Sequence, residues 1–253
     1  MKNTYLKFVL LVSIPFMLSF VSVSNIDLKG SNQQPDYEVS KVYPYITVTK
    51  AKLNAANTLI DLNPHYKPSW VKKYLKVEVK AIQNGTIKTA IHNSNQLHPT
   101  QKRLMKIADV GTAISIKISY IPENTLKDNP AREMEFSFTV EPDKDATYIG
   151  GQEQLKNYLK RHIMNKIPNN LFEGYKLAAV KFSIDEKGKI IRPEIASSSE
   201  NQAVDKILLA AIENMPNWKP ASYANGLKVK QDYALMVGNM ESCVVHTLNV
   251  NPR

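Results

Sequence analysis

The residues that could do chemistry are few in this chain, and they lie apart from one another. Cys243 and His246 are three positions apart, but a Cys/His dyad needs a third group that orients the histidine and a pocket for a substrate. The sequence around the two residues is irregular and predicts neither. Asp185 and Glu186 flank a predicted turn, so we interpret them as turn residues and not as an acid/base pair. The sequence therefore predicts no catalytic residue.

The histidines and the cysteine do not form a metal-binding pattern. His92 and His98 lie in a polar stretch without a nearby pair of carboxylates, and we expect both to face solvent. His162 falls on the apolar stripe of a predicted helix, where a partly buried core residue is expected. Cys243 is the only cysteine, which excludes an intramolecular disulfide framework and a cysteine-rich metal site. Since zinc, nucleophile-elbow and phosphate-loop motifs are also missing, the sequence predicts no metal, no cofactor and no enzyme.

Composition and charge favour a folded, basic protein. The chain of 253 residues is 43% hydrophobic and 22% charged, which is typical of one large or two ordinary globular domains. Its formal net charge is +10. The lysines are spread along the chain, without an arginine cluster or interleaved aromatic residues, so we expect a solvated basic surface and no nucleic-acid partner. Attraction to anionic envelope polymers or lipid headgroups is the alternative interpretation.

The first 24 residues have the organisation of an export signal. Two lysines precede an apolar run at 8–23, and small residues stand at the −3 and −1 positions of a cleavage site before Asn25. The run spans 16 residues, fewer than the ~20 that a membrane helix needs. We expect a cleaved signal peptide over 1–24 and a periplasmic protein. An uncleaved inner-membrane anchor through 8–23 is the alternative, and only that anchor would associate the protein with a membrane.

The part of the chain from 25 to 142 predicts a lead-in followed by a first domain. Residues 25–44 are polar and indicate a flexible lead-in. Residues 45–142 contain short alternating strands and one helix, which predict a β-rich, sandwich-like domain. The candidates are strands at 45–49, 75–82, 86–91, 113–120 and 134–140 and a helix at 99–108. The exposed or buried state of Trp70 stays open, and residues 141–145 are predicted to be a short charged linker.

The part of the chain from 150 to 237 has a different pattern, in which helices and strands alternate. Residues 150–163 carry an amphipathic stripe that fits a helix, and period-2 alternation predicts a strand from Ala178 to Ile184. A turn at Gly188 leads into a second strand, in which Pro193 indicates a sheet edge or a bulge. A second helix follows up to Met215, Trp218 is expected in the core, and a third strand is predicted over 228–237.

Four motifs in this part resemble the TonB C-terminal domain family. They occur in the family's order and at similar spacing: VKFSIDEKG at 180–188, SSS at 197–199, PNWKPA at 216–221 and GLKV at 226–229. The resemblance covers about 148–237 and implies an αββαβ domain over 148–238, followed by a tail at 239–253. The fold class predicted for the whole chain is α+β, with this domain preceded by the β-rich sandwich-like one.

The resemblance also implies a binding site for an extended peptide. In this family the last strand of the domain pairs with a short segment, the TonB box, at the N-terminus of outer-membrane receptors. Carried over to this chain, the partner-peptide-binding residues are Lys228, Val229, Lys230, Gln231, Asp232 and Tyr233. A sheet edge that is solvated, or covered by the tail 239–253, is the alternative.

Two functions from different classes follow from this resemblance. The first is a TonB-like periplasmic protein that binds receptor peptides in energy-coupled outer-membrane transport. The second is a structural or adaptor protein of the cell envelope that uses the same fold to bind another envelope protein, without energy transduction. TonB transducers have a long extended spacer before this domain, whereas a folded domain is predicted at that place here. A retained anchor would favour the first function, and a cleaved leader would favour the second.

Overall fold

Two open sheets with helices on one face make up most of the described protein. The computed structural model describes residues 35–42, 46–83, 85–126, 128–168 and 177–238. The first strands are β1 (Asp36–Lys41), β2 (Thr47–Thr49), β3 (Val71–Gln83), β4 (Thr86–His92), β5 (Ala113–Pro122) and β6 (Arg132–Glu141). The helices between them are α1 (Lys50–Ala55), α2 (Leu59–Leu62), a 3-10 turn (Pro68–Trp70) and α3 (Pro99–Lys106).

The rest of the described chain continues this series. Its strands are β7 (Thr147–Tyr148), β8 (Ala178–Ile184), β9 (Ile190–Ser197), β10 (Trp218–Lys219), β11 (Ala221–Ser222), β12 (Lys228–Val229) and β13 (Gln231–Gly238). Its helices are α4 (Gly151–Leu159), which a π-helical turn (Lys160–Met164) extends, and α5 (Gln202–Glu213). Strand β10 pairs with β7 and β11 pairs with β12, as two small sheets.

The first large sheet has the strand order β2-β6-β5-β3-β4 and is antiparallel except for the β2–β6 pair. Alternation places Ile114, Ile116 and Ile118 of β5 on one face, where they are fully buried. Helices α1 to α3 cover this face with the side chains of Leu53, Leu59, Leu62, Leu104 and Met105. Helices therefore take the place that a second sheet was expected to have, and the α+β class is confirmed.

Two of these helices were not predicted from the sequence. Helix α1 has six residues and α2 has four, so neither is long enough to repeat an apolar stripe. Capping explains why they form: the Thr49 hydroxyl accepts from the amide of Lys52 at 3.2 Å, and Thr58 and Asp61 make a capping box.

The second large sheet has the order β1-β13-β8-β9, and all its pairs are antiparallel. Helices α4 and α5 cover one face of it, which confirms the predicted order of helix, two strands, helix and strand. The fourth strand is β1, which comes from the segment predicted to be a flexible lead-in. That prediction is wrong for residues 36–41.

The buried side chains form two clusters, one within 48–140 and the other within 146–237. Strand β1 packs on the second cluster, although it precedes the first along the chain. The C-terminal core is therefore built from two separate pieces of sequence. The predicted domain bounds, 45–142 and 148–238, stay a prediction.

Trp218 lies at the centre of the second core, as expected. Its side chain is 4% exposed, and its ring centroid is 5.7 Å from Tyr148, 6.2 Å from Phe182 and 5.1 Å from Tyr233. The indole N–H donates to the Met215 sulfur at 3.4 Å. Aromatic pairs at these distances add to the stability that burial gives.

The turn between β8 and β9 rests directly on Trp218. The Asp185 carboxylate accepts from the amides of Lys187 and Lys189 at 2.9 and 2.7 Å, so it is a turn residue, as expected. Gly188 has a φ of 82°, and its carbonyl accepts from the amide of Trp218 at 2.7 Å. A Cβ at Gly188 would lie 1.8 Å from the Trp218 carbonyl oxygen. Only glycine fits at this position.

We predict that Gly188→Ala destabilises the fold more than the same change at Gly226. Both glycines have a positive φ, but nothing lies within 4 Å of a Cβ at Gly226. Gly226→Ala, the control, should therefore lower the free energy of unfolding only by the backbone strain, about 1–2 kcal/mol. Gly188→Ala has the same backbone strain and must in addition displace the backbone of Trp218, which lowers the free energy of unfolding further. Urea unfolding followed by tryptophan fluorescence measures both, and equal losses for the two variants would contradict this packing.

Candidate functional site

The strand predicted over 228–237 is divided in two in the structure. Lys228 and Val229 form β12, which pairs with β11. Lys230 lies between the two strands, and Gln231 begins β13. The six predicted peptide-binding residues thus lie close together along the chain but belong to two different sheets.

Strand β13 has a neighbour on both sides. On one side it pairs with β8, from Gln231 opposite Ile184 to Val237 opposite Ala178. On the other side it pairs with β1 over residues 233–238, and Val42 extends this pairing by donating to the Asp232 carbonyl at 3.3 Å. The expectation of an open edge is therefore wrong for residues 232–238, because the chain itself supplies the added strand.

The backbone of β1 is bound to β13 through alternate residues. Since the amide of Val42 donates to Asp232, the alternation of an antiparallel ladder turns the amides of Glu38 and Ser40 toward β13 as well. The amides of Tyr37 and Val39 then face away from β13, and the side chains of these two residues pack on the core. Alternation of Tyr37 and Val39 with polar residues is the sequence signal that could have predicted this strand.

Lys41 fixes the end of β1 by ion pairs. Its ammonium group lies 3.1 Å from the Glu141 carboxylate and 3.1 Å from the Asp145 carboxylate. Burial pushes the pKa of Lys41 down, but the hydrogen bonds to both carboxylates outweigh burial and leave the pKa above its usual value. The ion pairs are therefore present at neutral pH, and at alkaline pH they are lost as the pH rises through this raised pKa.

The predicted linker 141–145 makes contacts with both parts of the protein. One carboxylate oxygen of Asp143 accepts from the amide of Ala51 in α1, and the other accepts from the amide of Ala224, each at 2.7 Å. The backbone of Lys144 exchanges two hydrogen bonds with Ser222, at 3.0 and 2.9 Å. Residues 141–145 are therefore held by hydrogen bonds to both parts of the protein, next to the end of β1, and we call this segment the junction.

The side chain of Gln231 belongs to this junction. This side chain is fully buried. The amide oxygen accepts from the backbone N–H of Ala146 at 2.7 Å, and the amide nitrogen donates to Asp145 at 2.7 Å. Tyr233 is buried beside it and donates to the Ala146 carbonyl at 2.7 Å. Burial raises the pKa of Tyr233, which keeps its hydroxyl a donor.

Of the other predicted site residues, Lys228, Lys230 and Asp232 keep solvent access. Asp232 accepts from the Ser183 hydroxyl at 2.6 Å and lies 3.5 Å from the Lys230 ammonium. Val229 is half-buried against the core. These three polar side chains are the part of the predicted site that a partner can reach while β1 is bound.

The histidines differ from expectation in one respect. His92 and His98 are each half-buried and stack on each other with ring centroids 4.5 Å apart, and His98 caps α3 by accepting from Thr100, so the expectation that both face solvent is met only in part. His162 is half-buried and stacks on Tyr158, as expected for a residue on that helix stripe. No group of three metal-ligating side chains forms among the residues that the structure describes.

Trp70, whose burial the sequence left open, is 57% exposed on its 3-10 turn. The predicted leader 1–24 and the tail 239–253 with Cys243 and His246 lie outside the described residues. Among the described helices, none has the length and apolar character needed to cross a membrane.

Comparison with known proteins agrees with this architecture. Residues 153–226 match the family described as TonB C terminal. This segment is a TonB C-terminal domain. The match confirms the resemblance in the sequence and runs from α4 to the turn before β12, so β13 and β1 lie outside the matched segment. The family is not an enzyme family, and it belongs to the cell envelope. No curated protein and no solved structure was found to match the chain.

We predict that Gln231 stabilises the fold and that Lys230 does not. Gln231→Ala leaves the buried Ala146 amide without its acceptor, which should cost about 1–3 kcal/mol. Lys230→Ala removes only one weak surface ion pair and should change the stability by at most about 0.5 kcal/mol. The free energies of unfolding of the two variants, measured in urea, test this prediction. Equal stability would mean that Gln231 is not part of the junction.

Proposed function

We propose that this protein is a TonB-like interaction module of the cell envelope that takes up an extended peptide as a strand along β13. The uptake is an exchange, in which the peptide replaces β1. The observation that carries the proposal is β1 itself. A six-residue extended segment already pairs with this edge as an added strand, with its own side-chain contacts.

The contacts of β1 indicate which peptides suit the edge. Tyr37 and Val39 place an aromatic and a β-branched side chain on the core, and Lys41 places a cation between two carboxylates. A competing peptide therefore needs two apolar residues two positions apart and a basic residue two positions further on. Main-chain hydrogen bonds supply the rest of the affinity and do not depend on sequence.

The partner proposed first is the N-terminal segment of an outer-membrane receptor, as in the TonB family. The protein would then be exported and act in the periplasm, without enzyme activity. A retained anchor at 8–23 would favour this function, whereas loss of residues 1–24 would favour the second candidate. The second candidate is an envelope adaptor in which β1 stays paired and the exposed side chains Lys228 and Lys230 meet another protein. This second candidate does not require the displacement of β1, which is paired along all six of its residues.

Peptide exchange can be tested with a pair of variants at Ser40. Ser40→Pro removes an amide that faces β13, whereas Ser40→Ala keeps that amide. The probes are a synthetic peptide with the sequence of residues 35–42 and peptides from receptor N-termini. Each is titrated into the labelled full chain, and backbone amides are followed by NMR.

We predict that Ser40→Pro binds the 35–42 peptide at least about tenfold more tightly than the natural sequence does, because it raises the fraction of chains with a free edge. Ser40→Ala should bind like the natural sequence, and the shifts should cluster at 231–238. Tighter binding of receptor peptides by the proline variant would support the transport function. If Ser40→Pro releases β1 and no peptide binds at β13, strand exchange is refuted and the adaptor candidate stands.

A further inference from the structure

A groove of about 420 Å³ lies between helix α4 with its π-helical turn and helix α5, and the residues that line it do not include any of β13. Its floor contains the apolar side chain of Ile207 and the stacked rings of Tyr158 and His162, whose centroids are 4.0 Å apart. Apolar clefts of a few hundred Å³ with a few polar groups are the usual form of a small-molecule site.

The polar groups that line this groove are basic or neutral. Lys206 lies on α5 and Lys166 lies in the turn that follows the π-helical turn, and neither has a carboxylate within ion-pair distance among the residues that the structure describes. His162 uses Nδ1 to donate to the Tyr158 carbonyl at 2.9 Å, which leaves Nε2 as its one remaining polar atom. The groove therefore offers positive charge beside an apolar floor.

The two helices hold this groove in a fixed shape. The Tyr158 hydroxyl donates to the Ala211 carbonyl of α5 at 2.8 Å, which pins the helices together beneath the floor. The π-helical turn, closed by a hydrogen bond of 2.9 Å from the Asn165 amide to the Lys160 carbonyl, widens α4 where the groove opens. Single π-helical turns are rare and often occur at functional sites.

We infer that this groove is a binding site for a small carboxylate with a compact apolar or aromatic body. The carboxylate would lie between Lys166 and Lys206, within reach of His162, and the apolar body would pack on Ile207 and the stacked rings. Both lysines are exposed, so the charge adds selectivity for anions and the apolar floor supplies the contact area. The site is separate from the edge of β13 and does not depend on peptide exchange.

The test uses three small probes and the labelled full chain. Benzoate has both the charge and the apolar body, benzamide has the body alone, and acetate has the charge alone. Amide shifts recorded by NMR during each titration should saturate for benzoate, within 158–166 and 206–214. Benzamide and acetate should bind at least about threefold more weakly, since benzamide lacks the negative charge and acetate lacks the apolar body.

Lysine variants test whether the charges of Lys166 and Lys206 contribute to the binding of benzoate. Lys166→Met and Lys206→Met keep the apolar stems and should each weaken benzoate binding about two- to fivefold, the effect of losing one exposed ion pair. Lys160→Met removes an exposed lysine that does not line the groove and should leave binding unchanged. Equal binding of benzoate and benzamide, equal effects of all three variants, or shifts elsewhere in the protein would overturn the inference.

Discussion

The antiparallel pairing of β1 with β13 is the interaction that connects the two ends of the described chain. It brings a segment that precedes the first core into the sheet of the second core. Lys41 then ties the end of this strand to Glu141 and Asp145, which begin and end the junction between the two parts. Asp145 also accepts a hydrogen bond from the side chain of the buried Gln231. Strand β1, the junction and the start of β13 are therefore connected through polar side-chain contacts.

This arrangement protects both edges of the four-stranded sheet. At one edge β9 has two register shifts, a φ of 50° at Arg192 and a proline at Pro193, which together disfavour pairing with another chain. At the other edge, β1 covers β13 and presents Glu38 and Lys41 among its six residues. A partner strand must therefore displace β1 before it can reach β13, and the stability of β1 sets how readily that happens.

The sequence predicted the C-terminal domain well because its signals are local and repeated. Ala178 to Ile184 alternate, Gly188 marks the turn, and Trp218 follows the end of a helix, so each element could be identified by itself. The prediction of an open edge at β13 was wrong because the order of strands in a sheet is a long-range property. A lead-in rich in polar residues hid the pattern of Tyr37 and Val39, and no local signal links them to residue 235. The contacts of Asp143 were missed for the same reason, since charged residues in a row usually indicate a solvated linker.

The pairing of β1 with β13 can be measured directly by nuclear Overhauser effects between α-protons. Val39 and Leu235 form a pair without mutual hydrogen bonds, whose Cα atoms lie about 4.5 Å apart in such ladders. We predict a strong α-proton contact between them, equal to that of Ala234 with Lys181 in the β13–β8 pair. If the Ala234–Lys181 contact is present and the Val39–Leu235 contact is missing, β1 does not occupy the edge of β13, which contradicts the proposed strand exchange.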